Sequence, residues 1–228
     1  NTRVIVTEGE KARGIYAYSV GGGGGNGGMG YAIDTLVGKP HQGNGFNMEI
    51  AVGGEGGNGN DGGRVSVTNE GDIETLGDRS DAIYAQSIGG GGGDGGKAHG
   101  VSLDFTAGGG SRNMPKKEKN EGNEWNFVAA IGGDGGTAND GGDVDVRNMG
   151  NIVTHGVNAR GIVAQSVGGG GGNGGNGISG TGLDTLDQVT ELLDLKDKVV
   201  FDVSNWSLTV GGTRGASGDG GAVVGGNE

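Results

Sequence analysis

One phrase occurs three times in this chain and constrains its fold more than any other feature. Short apolar-alternating segments at Gly14 to Val20, Ala82 to Ile88 and Gly161 to Val167 each end in Ser-Val or Ser-Ile. Each runs directly into five glycines, beginning at Gly21, Gly89 and Gly168, with the second interval longer than the first. A second landmark, Asp-Gly-Gly, begins at Asp61, Asp140 and Asp219, and a third, Asn-x-Gly-x-Ile, begins at Asn69 and Asn148, all at one constant interval. A shared period of this length marks a repeat architecture whose units bury their apolar faces by stacking. The chain therefore divides into units of about 1–63, 64–142 and 143–221, with the start of a further unit at 222–228, all in one repetitive domain. The first unit is shorter than the others between its glycine run and its Asp-Gly-Gly, in the part where the copies differ most. That part is read as a variable insertion, at 32–47, 111–123 and 183–198. The last carries Leu183, Leu186, Val189, Leu192 and Leu193 at spacings of three to four, which predicts a short amphipathic helix.

The constant part alternates apolar and polar residues in pieces bounded by Asn, Gly and Asp, the pattern of half-buried strands separated by turns. Three such strands in roughly 25 residues match one rung of a parallel β-helix. Further strand candidates at Val101 to Ala107 and Trp125 to Ile131 suggest more than one rung per unit, so six to eight rungs, each about 4.8 Å thick, are expected. A sandwich or barrel also joins short strands by turns, but closed folds need not repeat at equal period, which favours the solenoid. The expected class is all-β, a parallel β-helix with ordered glycine-rich segments and variable insertions.

Glycine makes up 61 of 228 residues, yet only two prolines accompany it, which excludes collagen. A flexible linker expects glycine runs free in position, whereas each run here is locked behind the same strand and continues into Asn26, Asp94 or Asn173 flanked by glycine pairs. Ordering five glycines costs on the order of 5 to 10 kcal/mol, which backbone pairing between stacked units can offset. The runs are expected to lie side by side as polyproline-II-like strands in layers beside the β-strands, the alternative being mobile loops. Ser19, Ser87 and Ser166, Gln86 and Gln165, and Asn69 and Asn148 are expected to stack in ladders. Trp125 and Trp206 are read as capping or core residues, with an exposed contact role as the alternative.

The formal net charge is −12, which opposes nucleic acid and anionic membranes as partners. No cysteine is present, so no disulfide staples the fold. No apolar stretch reaches the length of a membrane helix, and the chain opens mid-pattern at residues 1–6, as a piece of a longer array would. Most site chemistry finds no support. No Gly-Lys-Ser/Thr follows the glycines, so a phosphate loop is excluded, and Gly-x-Gly-x-x-Gly matches are trivial in such runs. His41, His99 and His155 sit in unrelated contexts without zinc-ligand spacing, and none of the recurring serines lies in Gly-x-Ser-x-Gly. Gly56 to Asp61 matches the start of a calcium-binding β-roll nonapeptide, which makes Asp61, Asp140 and Asp219 weak calcium candidates, with turn residues as the simpler reading. No catalytic or cofactor-binding residue is assigned.

The phrases Asn69 to Gly77 and Asn148 to Gly156, followed by Gly161 to Gly175, resemble the glycine-rich repeats in passenger regions of bacterial autotransporter proteins, the type V secretion class. The resemblance covers most of the chain outside the insertions. It implies a right-handed β-helix displayed on the outer membrane surface of a Gram-negative bacterium, or secreted, with a C-terminal membrane β-barrel elsewhere in the polypeptide. It further implies a non-enzymatic stalk or adhesin segment whose partner is a host cell surface or matrix component, or another bacterial cell. A calcium-dependent or ice-binding glycine-rich repeat protein is the alternative.

Overall fold

The computed structural model describes residues 1–38, 45–106, 124–181 and 203–227. Its strands run in chain order β1 (Ile5–Thr7), β2 (Ile15–Val20), β3 (Gly30–Gly38), β4 (Gly45–Val52), β5 (Val65–Asn69), β6 (Ile73–Thr75), β7 (Ile83–Ile88), β8 (Ala98–Thr106), β9 (Glu124–Ile131), β10 (Val144–Asn148), β11 (Ile152–Thr154), β12 (Ile162–Val167), β13 (Gly177–Thr181), β14 (Val203–Val210) and β15 (Val223–Asn227). They form five three-stranded parallel sheets, β1-β6-β11, β5-β10-β15, β2-β7-β12, β3-β8-β13 and β4-β9-β14. Every sheet joins one strand from each successive unit, in the register that the repeat dictates. Ile15 faces Ile83, which faces Ile162, and Val65 faces Val144, which faces Val223. The protein is all-β and solenoid-like.

One expectation is corrected by this register. A repeat unit is a single layer of the stack, and not two or more rungs, because strands within a unit never pair with one another in the sheets. Three short strands form one end of each layer, two glycine-rich segments lead outward and back, and two longer strands lie at the far end. At the near end, alternate residues of β5, β6 and β7 point inward, and Val65, Val67, Ile73, Ile83, Ala85, Val144 and Val146 form the main core. At the far end β8 packs on β9 through small residues, with Ala51, Ala98 and Ala130 buried between the sheets. Alanine and glycine there let the sheets approach more closely than branched side chains would allow.

The length variation is confined to one place. Between β3 and β4 the connection is residues 39–44, and between β8 and β9 it is residues 107–123, a difference that accounts for the whole deficit of the first unit. Residues 32–38 and 45–47, read as part of the first insertion, are instead strand residues of β3 and β4. The insertions 111–123 and 183–198, the helix expected in the latter, and His41 lie outside the described residues.

The glycine runs are ordered, with a period of three. Gly21, Gly24, Gly27 and Gly30 donate their amides to the carbonyls of Ile88, Gly91, Asp94 and Lys97 in the next layer, at 2.7 to 2.9 Å. Within one layer the outgoing and returning segments are antiparallel: Gly54, Gly57 and Asn60 donate to Gly28, Gly25 and Gly22. Gly90, Gly93 and Gly96 of the second layer then donate to Asn60, Gly57 and Gly54. Three residues per turn is the polyproline-II repeat, so each segment points one N–H at the layer above or below and one at a lateral neighbour on every turn. A Cβ at Gly21, Gly89 or Gly168 would sit well under 3.0 Å from the carbonyls of Asn60, Asn139 or Gly218, so only glycine fits there. Every third position faces outward. Gly91 would place a Cβ 3.3 Å from Gly170 O, and Gly170 would meet nothing within 4 Å.

Outward positions often carry Asn or Asp, and the hydrogen bonds explain why. Asp94 N donates to Asn26 Oδ1 at 2.9 Å, and Asn173 N donates to Asp94 Oδ1 at 2.8 Å. Thr213 N and its hydroxyl both donate to Asp134 Oδ1, and these bonds, the backbone one foremost, lower the pKa of Asp134. Each side chain thus accepts the outward amide of the next layer, which no backbone carbonyl reaches.

Candidate functional site

The residues singled out from the sequence mostly fasten the stack. Asn69 and Asn148 are fully buried, and Asn69 Nδ2 donates to Asn148 Oδ1 at 2.6 Å while Asn1 Nδ2 donates to Asn69 Oδ1 at 2.9 Å. Gln86 donates to Gln165 at 3.1 Å. Ser19, Ser87 and Ser166 stack in register, yet they do not bond to one another. Ser87 Oγ donates to Gly63 O at 3.0 Å and accepts from Gly142 N at 2.9 Å; Ser166 Oγ bonds Gly142 and Gly221 in the same way, and Ser19 Oγ accepts from Gly63 N. The expected hydroxyl ladder is therefore a set of clamps on the Asp-Gly-Gly turns. Asp140 N donates to Asp61 Oδ1 at 3.1 Å, and Asp219 N to Asp140 Oδ1 at 2.7 Å, so these carboxylates act between layers. Among the described residues no group of three or more His, Cys, Asp or Glu is placed to hold a metal ion. Trp206, read as a cap or core residue, is 64% exposed on β14; the side chain of Trp125 is outside the described set.

A different cluster stands out once the layers are superposed, at the turn that precedes β2, β7 and β12. Lys11, Arg79 and Asn158 occupy the same place in successive layers with φ of 57°, 56° and 58°. Asparagine tolerates this left-handed conformation, but lysine and arginine adopt it at a cost of roughly 1–2 kcal/mol each. Amide bonds hold the column: Lys11 N donates to Asp78 O at 2.8 Å and Arg79 N to Val157 O at 2.9 Å. Two positions further on, Arg13, Asp81 and Arg160 form a second column.

The Asp81 side chain is 3% exposed. Arg160 grips it with Nε on Oδ1 and Nη2 on Oδ2, both at 3.0 Å, and its backbone N–H adds a third bond to Oδ1. Arg13 Nε lies 3.7 Å away. Burial opposes the charge on Asp81, but the hydrogen bonds from Arg160 and the charges of Arg160 and Arg13 outweigh it and hold the carboxyl below its ordinary pKa. The guanidinium of Arg160 is raised in turn, chiefly by its bonds to Asp81.

Arg13 also lies over the rings of Tyr84 and Tyr16, at 4.2 and 4.8 Å from their centroids, which orders it against the outer face of sheet β2-β7-β12. Tyr18 sits beside Tyr16 with ring centroids 5.1 Å apart, and both are at least half exposed. Arg79 pairs loosely with Glu10 at 3.4 Å, and Lys11 has no ion-pair partner among the described residues. Together Lys11, Arg13, Arg79, Asp81, Asn158 and Arg160 line an open cavity of about 560 Å³. Four cations against Asp81 in the cavity and Glu10 at its edge leave this corner net positive, opposite in sign to the whole chain.

Sequence reasoning did not single out this cluster. Aligning the units by their five-glycine runs would have placed Arg13, Asp81 and Arg160 in one column and Lys11 above Arg79. That alignment was the available signal; the cavity was not.

A second exposed surface is apolar. Phe46, Met48, Ile50 and Val52 of β4 and Trp206, Leu208 and Val210 of β14 are exposed on the strands of one sheet at the far end of the layers. Compared with protein families, with curated proteins and with solved structures, the chain matches none.

Proposed function

We propose that the chain is a non-enzymatic display segment: a rigid stalk or adhesin portion of an autotransporter-like passenger, a right-handed β-helix held at or released from the surface of a Gram-negative cell. The observation that carries this reading is the continuous interlayer bonding through five sheets and the glycine segments between them. Such a stack resists local opening along its length, and all its length variation is confined to the connections between β3 and β4 and their counterparts, where contact loops belong on a rigid scaffold. The partner is a component of a host cell surface or matrix, or of another bacterial cell, and a C-terminal membrane β-barrel belongs to the same polypeptide.

The experiment is surface labelling of intact cells that express the protein with its natural flanking sequence, using an antibody against this chain and protease shaving. Labelling without permeabilisation, together with loss of cell adhesion when 111–123 and 183–198 are both deleted, is the expected result. Labelling only after permeabilisation overturns the display reading, and unchanged adhesion overturns the role of the insertions.

A further inference from the structure

We propose that the corner built by Lys11, Arg13, Arg79 and Arg160 is a binding site for a linear acidic saccharide bearing sulfate or carboxylate groups. The first support is charge complementarity. A chain of net charge −12 sets four cations around one cavity, while the single acid inside it, Asp81, has both oxygens occupied by Arg160. Of the four, Lys11 has no ion-pair partner among the described residues and Arg79 only an exposed one. The charge of Lys11 is available to a ligand, and an acidic group can take the place of the exposed Glu10 on Arg79.

The second support is conformational. Lys11 and Arg79 stand at left-handed positions, φ 57° and 56°, in a protein that uses asparagine at the equivalent position of the next layer and glycine freely elsewhere. Cationic side chains held in a sparsely populated conformation beside a cavity fit a ligand clamp better than a turn selected for stability.

The third support separates a saccharide from other anions. Lys11 and Arg79 stack in adjacent layers, at the strand spacing of about 4.8 Å, which is close to the length of one pyranose unit, so two successive acidic groups on a chain of sugars can meet these two layers. Beside them the exposed rings of Tyr16 and Tyr18 offer aromatic faces for pyranose C–H groups and hydroxyls for the sugar oxygens. Arg13, held over Tyr16 and Tyr84, joins the charged and aromatic parts into one surface. Arginine and tyrosine are also the side chains that dominate binding energy at interfaces. The proposal names a partner class for the display reading, but it is tested on the chain in solution, so either can fail alone.

The test is titration of the chain with a size-defined, fluorescently labelled heparin hexasaccharide, at low and at physiological ionic strength. Two variants accompany it. Lys11→Asn with Arg79→Asn installs at both positions the residue that Asn158 already provides, so the turn is retained, and an unchanged melting temperature verifies this. Tyr16→Ala removes one ring. Expected are saturable binding that weakens with salt, at least a tenfold loss in the double variant, a severalfold loss in Tyr16→Ala, and no binding of a neutral dextran oligomer of equal length. Equal binding by the wild type and the folded double variant overturns the site. Equal binding of a single-stranded oligodeoxynucleotide of matched charge, or full competition by inorganic sulfate at matched charge concentration, overturns the saccharide assignment.

Discussion

The short-strand end of each layer and its glycine segments hold the same stack by different physics. In β5, β6 and β7 the layers are joined by sheet bonds, and the side chains of Val65, Ile73 and Ile83 add burial, so the sequence alternates with a period of two. In the glycine segments there is no side-chain core. Two of every three positions are occupied by a neighbour's backbone, and the period becomes three. Both can share one molecule because each repeats once per layer. The difference shows that glycine is required only where a carbonyl opposes it. Gly92 faces the carbonyl of Gly136, whereas the outward positions of the same segments carry Asn26, Asp94 and Asn173.

The largest effect expected from breaking this contrast is in Gly92→Ala, whose Cβ would collide with the carbonyl of Gly136. Neither partner can rotate away, so a loss of about 3 kcal/mol or more is expected in urea unfolding. Gly170→Ala, at an outward position with nothing near its Cβ and a conformation open to alanine, should lie between neutral and about 1 kcal/mol more stable. Equal losses for the two would break the three-residue rule.

At the cationic corner, Asp81→Asn removes charge-assisted bonds from a buried carboxylate and should cost about 1.5–3 kcal/mol. Its pH dependence has a definite sign. The folded-state pKa of Asp81 is lowered, so its stabilisation is present above about pH 4, the ordinary aspartate range, and is lost as pH falls further. The stability gap between wild type and Asp81→Asn, measured by denaturant midpoints, should therefore be constant near neutrality and narrow in acid. In the apolar core Ile83→Val should cost about 0.5–1.5 kcal/mol, since one buried methylene is lost. The smallest effect expected is that of a chelator. With Asp61 and Asp140 each bonded to an amide of the next layer, the melting temperature should not change on addition of calcium or of its chelator; a rise with calcium would return those carboxylates to metal binding.

Much of the fold is legible in the sequence, and the corner much less so. The strand positions followed from alternation, and the ordered glycine runs followed from their fixed place behind Ser-Val and Ser-Ile. The serine clamps were missed because a register that stacks identical hydroxyls suggests they pair, whereas Ser87 bonds the backbone of Gly63 and Gly142 instead. The corner was missed because Lys11, Arg79 and Arg160 belong to three turns that say little one at a time.

By itself the sequence determined that the chain repeats, which segments alternate and which glycines are positioned, because these depend on local pattern and on identity between units. Only the tertiary structure decided that one unit makes one layer, that its two glycine segments run antiparallel, and that a buried aspartate and four cations share one cavity. A period shows what recurs, but how many strands complete a layer depends on which backbones pair between units far apart in sequence. That is a property of the assembled stack and of no segment within it.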